Sequence, residues 1–140
     1  MAENALVDAG FLVALLSSRD SHHDWAAAQA PRLAPPWKTC ESALSEAFHL
    51  LGARGGPGLG EMLDRGAVVI AFDLSRELRS VLRLLRKYAD VPMSLADACL
   101  VRMTETLADP LLLTTDMDFR VYRRHSRQVV PCVTPSWPGK

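Results

Sequence analysis

Two short apolar runs, Ala5-Leu6-Val7 near the start and Leu111-Leu112-Leu113 near the end, each lead into an aspartate. Asp8 follows its run directly, and Asp116 follows after two threonines. A run that is apolar throughout, with no polar alternation, reads as a strand covered on both faces, the condition of a parallel sheet in an α/β fold. Most of the chain between the two runs reads as helix, so the strands have to be joined by helical crossovers. In open parallel sheets the ligand site lies outside the carboxyl ends of the strands. One aspartate at such an end is ordinarily a loop residue. Two of them put carboxylates at the same edge of the same sheet.

The remaining elements follow from periodicity and punctuation. Phe11 to Leu16 reads as a helix, and Ser21 stands where it would cap another through Trp25 and the alanines, ending at Pro31. Trp37 to Thr39 is a short extended piece after Pro35-Pro36. Glu41 to Leu51 carries an apolar stripe (Ala43, Leu44, Ala47, Phe48, Leu50, Leu51) with Gly52 in the position of a C-cap. The segment from Gly52 to Gly60 holds five glycines and a proline, so it reads as a flexible connection or a loose helix start. It is no phosphate-binding loop, because the Lys-Ser/Thr ending is absent and a helix precedes it.

Ala67 to Phe72 reads as a strand. Arg76 to Tyr88 reads as an amphipathic helix, with Leu78, Val81, Leu82, Leu85 and Tyr88 facing inward and Arg76, Arg79, Arg83 and Arg86 outward. A helix over Ser94 to Leu107 and strands over Leu111 to Thr114 and Val129 to Val133 complete the set. A proline-punctuated tail over 131–140 follows. With 140 residues, no internal repeat and no long linker, the chain 1–140 is expected to form a single α/β domain. Its mostly parallel central sheet, of about five strands, would be flanked by helices on both faces.

Net charge gives no overall pull towards a polyanion. Sixteen basic and sixteen acidic side chains balance, so no global field draws this chain to nucleic acid and any polyanion contact must be local. Base gathers late: from Asp116 onward there are five basic residues and two acids. Cys40, Cys99 and Cys132 are odd in number and far apart, which argues against a disulfide framework or a zinc site and for free thiols in a reducing compartment. No apolar run reaches membrane-spanning length and no signal-peptide pattern opens the chain, so the expectation is a soluble, cytoplasmic protein.

Three further acids share the sequence with Asp8 and Asp116. Asp97 completes a capping box, Ser94-Leu95-Ala96-Asp97, which gives it a purely local purpose; the same position puts a carboxylate on the first turn of a helix whose small residues permit close approach to the sheet. Glu46 sits mid-helix at the border of the apolar stripe, where an exposed surface glutamate is the plain alternative. Asp118 either joins a site or caps the next turn of chain. Several carboxylates without neighbouring bases suit a hard, oxygen-seeking cation such as Mg²⁺ or Mn²⁺. His22, His23, His49 and His125 form no metal triad, and no Ser-His-Asp or Cys-His grouping is present.

The segments Val7-Asp8-Ala9-Gly10, Ser42 to Leu51 around Glu46, Leu95-Ala96-Asp97-Ala98 and Leu113-Thr114-Thr115-Asp116-Met117-Asp118-Phe119 resemble, in order, the successive acidic motifs of PIN domains. They look most like those of VapC-type toxins of toxin–antitoxin pairs. The resemblance implies a metal-dependent ribonuclease in which Asp8, Glu46, Asp97 and Asp116 hold Mg²⁺ or Mn²⁺, with Asp118 auxiliary and Thr114 a polar helper. It also implies an RNA substrate, an antitoxin partner and a homodimer. Arg120, Arg123 and Arg124, just past the last acid, are the candidate phosphate contacts. One departure is visible: the first motif often carries hydroxyl residues after its aspartate, whereas Ala9 and Gly10 supply none. A non-catalytic module of the same fold, binding RNA or a protein, is the alternative from another class. A receiver or other phosphotransfer domain is weakened by the absence of a lysine late in the sheet.

Overall fold

The computed structural model describes residues 2–135, so residues 136–140 of the proline-punctuated tail lie outside the described part. In chain order the elements are β1 (Asn4–Val7), α1 (Ala9–Leu16), α2 (His23–Gln29), a 3-10 turn (Ala30–Arg32), β2 (Trp37–Thr39), α3 (Glu41–Asp64) and β3 (Val68–Ile70). There follow α4 (Leu74–Lys87), α5 (Leu95–Thr106), β4 (Pro110–Leu113), a second 3-10 turn (Met117–Arg120), β5 (Arg123–Arg124), β6 (Gln128–Val129) and β7 (Cys132–Val133).

Five strands pair in parallel in the order β3-β2-β1-β4-β7, with β1 at the centre. The expected α/β architecture is present. Alternation along the strands divides the core into two halves. Leu6 and Leu112 face one side, where they meet Val81 and Leu84 of α4, Tyr88 just past its end, and Ala98, Cys99 and Val101 of α5. Ala5, Val7 and Leu113 face the other, against Phe11 and Leu12 of α1, Ala26 of α2, and Leu44, Leu59 and Met62 of α3. Successive strand residues point to opposite faces, so helices cover both. Among the described residues no helix is long and apolar enough to cross a membrane.

Three sequence expectations are corrected, and one open alternative is decided for the helix start. The glycine-rich segment from Gly52 to Gly60 is helical and belongs to α3, broken once at Gly52, whose φ of 63° lies in the left-handed region. Gly52 does what a C-cap glycine does, and the helix then restarts. At Gly58 an added Cβ would sit 3.5 Å from Leu16 of α1, an ordinary van der Waals contact, and at Gly60 it would meet nothing within 4 Å. On α4 the buried face is narrower than the leucines suggest, because Leu78 and Leu82 are each 44% exposed while Val81, Leu84 and Tyr88 are buried. The expected strand over Val129 to Val133 is two strands separated by Val130 and Pro131. Gln128–Val129 pairs antiparallel with Arg123–Arg124 in a hairpin, and Cys132–Val133 joins the main sheet. Ser21 caps nothing; α2 begins after His22, whose amide is held by Oδ1 of Asp20 at 2.8 Å.

Candidate active site

Register brings the first and last acidic motifs together. Val7 is the partner of Leu113, so the next residues along each chain segment, Asp8 and Thr114, leave the sheet side by side at its carboxyl edge. Asp8 is the N-cap of α1 and accepts a hydrogen bond from the Phe11 amide at 3.0 Å. Its other oxygen, Oδ2, accepts from the Thr114 hydroxyl, and that hydroxyl accepts in turn from the Asp116 amide at 2.9 Å. Thr114 is fully buried, so it acts through the two aspartates and does not reach the cavity surface.

Asp116 caps the second 3-10 turn by accepting from the Asp118 amide at 2.9 Å. Asp97 keeps its capping box: its Oδ2 accepts from the Ser94 amide at 3.2 Å, and its own amide donates to the Ser94 hydroxyl at 3.0 Å. That box does not exhaust the residue, because Oδ2 also accepts from the Tyr122 hydroxyl at 3.0 Å. Both bonds use one oxygen. A helix cap and a cavity wall are therefore the same side chain.

A cavity of about 300 Å³ opens at this edge, and Asp8, Glu46, Asp97 and Asp116 all line it. The walls are completed by the start of α1, by Leu50, Ala96 and Leu100, by Thr115, and by Asp20 from the connection between α1 and α2. Asp118 is not part of the wall and acts on Asp116 through its charge.

The carboxylates are in poor company for ionisation. Burial, opposed by the bonds from Thr114 and Phe11 and aided by the charges of Asp116 and Asp97, pushes the Asp8 carboxyl up to about 7. Asp116 is raised as well, by burial first and then by the charges of Asp97, Asp118 and Glu46. Burial, and then the charge of Asp97, holds the Tyr122 hydroxyl above its ordinary range, so it donates as a neutral phenol at any working pH. Acid gathered in partial burial is a liability unless something positive enters it.

Oxygen-only donors of this kind fit a hard divalent cation, and Asp8, Glu46, Asp97 and Asp116 are the residues that would hold it. Among the described residues, however, no three His, Cys, Asp or Glu side chains stand close enough together to hold an ion as they are placed.

The late arginines are engaged elsewhere. Arg123 donates through one nitrogen to the carbonyls of Arg120, Val121 and Tyr122 at 2.7–3.1 Å. Arg124 donates to the Thr104 carbonyl near the end of α5 and to Gln128 at 3.3 Å, and Arg120 donates to the Thr134 hydroxyl at 2.6 Å. None of the three lines the cavity.

Three residues of the site carry too little sequence signal to be singled out. Asp20 is a lone loop acid whose place depends on how α1 and α2 turn. Thr115 stands beside Thr114 in the same motif and has no separate mark. Tyr122 reaches Asp97 only through the tertiary fold, although an aromatic shortly after the T-x-D-x-D-F piece is a usable hint.

Among solved structures, that of Mycobacterium tuberculosis VapC20, described as a Sarcin-Ricin loop cleaving toxin, superposes with a TM-score of 0.73. The match covers 84% of this chain and 94% of that chain at 20% identity. This chain has the fold of VapC20. That is the PIN-type architecture implied by the acidic motifs, and at this identity the likeness bears on the fold. No family model matches the sequence, and no curated protein does.

Proposed function

We propose that this chain is a metal-dependent ribonuclease that hydrolyses RNA phosphodiesters at the acidic cavity. The observation that carries this reading is the meeting of Asp8, Glu46, Asp97 and Asp116, from four separate segments, around one cavity at the carboxyl edge of the sheet. When bound, Mg²⁺ or Mn²⁺ would offset the repulsion among the carboxylates and polarise the phosphodiester for attack by water. Asp8, locked by Thr114 and the α1 amide, and Asp97, locked by Ser94 and Tyr122, present their carboxylates in fixed orientations. A carboxylate of the cluster takes the proton from the attacking water. Asp118 adds charge behind Asp116, and Arg120, Arg123 and Arg124 are the basic groups nearest in sequence for RNA outside the cavity.

VapC20 is a toxin, and the motifs resemble that group, so a toxin role with an antitoxin partner, a homodimeric working unit and a cytoplasmic site of action belong to the same proposal.

A second reading has one observation in its favour. Because, among the described residues, no three acidic side chains stand close enough together to hold an ion as they are placed, a non-catalytic module of this fold, binding RNA or a protein, is the competitor. Substitution separates the two. Glu46→Gln and Asp116→Asn are each expected to lower Mn²⁺-dependent RNA cleavage by about a hundredfold or more, since each removes a charge the cation needs. Cleavage at wild-type rate in both variants would show that the cavity is not the active site.

A further inference from the structure

The cavity that would receive a phosphodiester is walled almost wholly by acceptors and apolar groups. Its polar side chains are those of Asp8, Asp20, Glu46, Asp97, Asp116 and Thr115. Of these, Thr115 is the one whose side chain carries a hydrogen-bond donor whatever the pH. A cation offsets the repulsion between a phosphate and the carboxylates, but it leaves the phosphate's other oxygens without partners. A neutral hydroxyl supplies one at no cost in added charge.

The placement of that hydroxyl is specific. Its neighbour Thr114 is committed to Asp8 and to the Asp116 amide, and no such tie holds Thr115 among the described residues. Thr115 Oγ1 lies over the first turn of α1: a Cβ built on Gly10 would stand 2.2 Å from it and 3.4 Å from Oδ1 of Asp8. Gly10 lies within α1 and outside the left-handed region, so its backbone would accept any residue. Space, and not conformation, is what requires glycine there.

We propose that Thr115 contacts the substrate, its hydroxyl donating to a phosphate oxygen in the acidic cavity, and that Gly10 is the residue that leaves room for it. This deepens the nuclease reading of the same cavity and rests on it. Two independent variants test it. Thr115→Val removes the donor and keeps the shape. Gly10→Ala leaves Thr115 in the chain but puts a methyl where the hydroxyl lies, turning the side chain away; alanine in a helix also favours folding.

Binding of a fluorescein-labelled single-stranded RNA oligonucleotide in Ca²⁺, cleavage of the same oligonucleotide in Mn²⁺, and Mn²⁺ affinity by calorimetry are measured in parallel. Both variants are expected to lose about tenfold in RNA binding and in kcat/KM, with Mn²⁺ affinity unchanged and Thr115→Ser recovering most of the loss. If the wild type cleaves and both variants bind and cleave as it does, the proposal is overturned and the nuclease reading stands. If the wild type binds RNA without cleaving and both variants bind more weakly, the contact stands and the nuclease reading falls. If the wild type neither binds nor cleaves, both fall.

Discussion

The hydroxyl of Tyr122 donates to Oδ2 of Asp97 at 3.0 Å, from a ring buried edge-on between Phe119 and Tyr88 at centroid distances of 5.3 and 5.2 Å. The donor has no freedom to follow Asp97 if that residue moves, so the carboxylate is fixed from one side by the α5 cap and from the other by the tyrosine. Losing a group that orients a metal-binding carboxylate typically costs about 10- to 100-fold in metal affinity. Tyr122→Phe is expected to weaken Mn²⁺ binding about tenfold while lowering stability by about 1 kcal/mol, the net worth of one hydrogen bond. Calorimetry and thermal unfolding check the two together. Unchanged Mn²⁺ affinity would make the bond a packing feature alone.

Asp97 serves a cap and the cavity, and the two roles separate by substitution. An asparagine keeps a carbonyl oxygen that accepts from Ser94 and Tyr122, so Asp97→Asn is expected to melt within about 1 kcal/mol of wild type yet lose Mn²⁺ affinity by tenfold or more. Asp97→Ala loses the acceptor for the Ser94 amide and the Tyr122 hydroxyl as well and is expected to cost about 1 kcal/mol further. Equal Mn²⁺ affinity in wild type and the asparagine variant would leave only the capping role.

Asp8 ties the stability of the metal-free protein to pH. In the folded state its carboxyl holds a proton up to about 7, against 3.8 for an unperturbed group. The folded state binds that proton more tightly than the unfolded chain, so the contribution is full below the unperturbed value and is lost as pH rises through the folded one. In EDTA the melting temperature of wild type, measured relative to Asp8→Asn, is expected to fall between about pH 4 and pH 7.5, and Mn²⁺ is expected to restore it at the upper end. A difference that stays flat across that range would place Asp8 in a less costly environment than its burial indicates.

Arg124 and Arg120 are expected to behave differently although both follow the last acidic motif. Arg124 donates to the Thr104 carbonyl from a half-buried position, so Arg124→Ala is expected to lower stability by about 1–3 kcal/mol. Arg120 is exposed, and Arg120→Ala is expected to change stability little and to weaken RNA binding about threefold at low salt. Denaturant unfolding and salt-dependent binding distinguish them.

The sheet and the edge at which the acids meet are legible in the sequence because each rests on local pattern: apolar runs, the aspartates ending them, and a capping box. Asp8 and Asp116 need only the rule that parallel strands present their carboxyl ends together. Glu46 and Asp97 are placed by the order of motifs, since a mid-helix glutamate and an N3 aspartate have adequate local explanations. The illegible features depend on tertiary approach. The helical state of Gly52 to Gly60 comes from α1 packing against it, and local propensity opposes it. Leu78 and Leu82 follow helical periodicity but are left outside because α5 covers a narrower arc of α4. The engagement of Arg124 with the Thr104 carbonyl, and the reach of Tyr122 to Asp97, join segments that carry no mutual sequence signal.

Cleavage of RNA at the acidic cavity with a divalent cation is tested most directly by one titration. Mg²⁺ and Mn²⁺ are added to wild type and Asp8→Asn in the presence of mixed cellular RNA, and the appearance of new RNA ends is measured. Saturable, cation-dependent cleavage by wild type, abolished by EDTA and absent in Asp8→Asn, is the predicted result. RNA left intact by wild type at every cation concentration, or cut equally by Asp8→Asn, would contradict it.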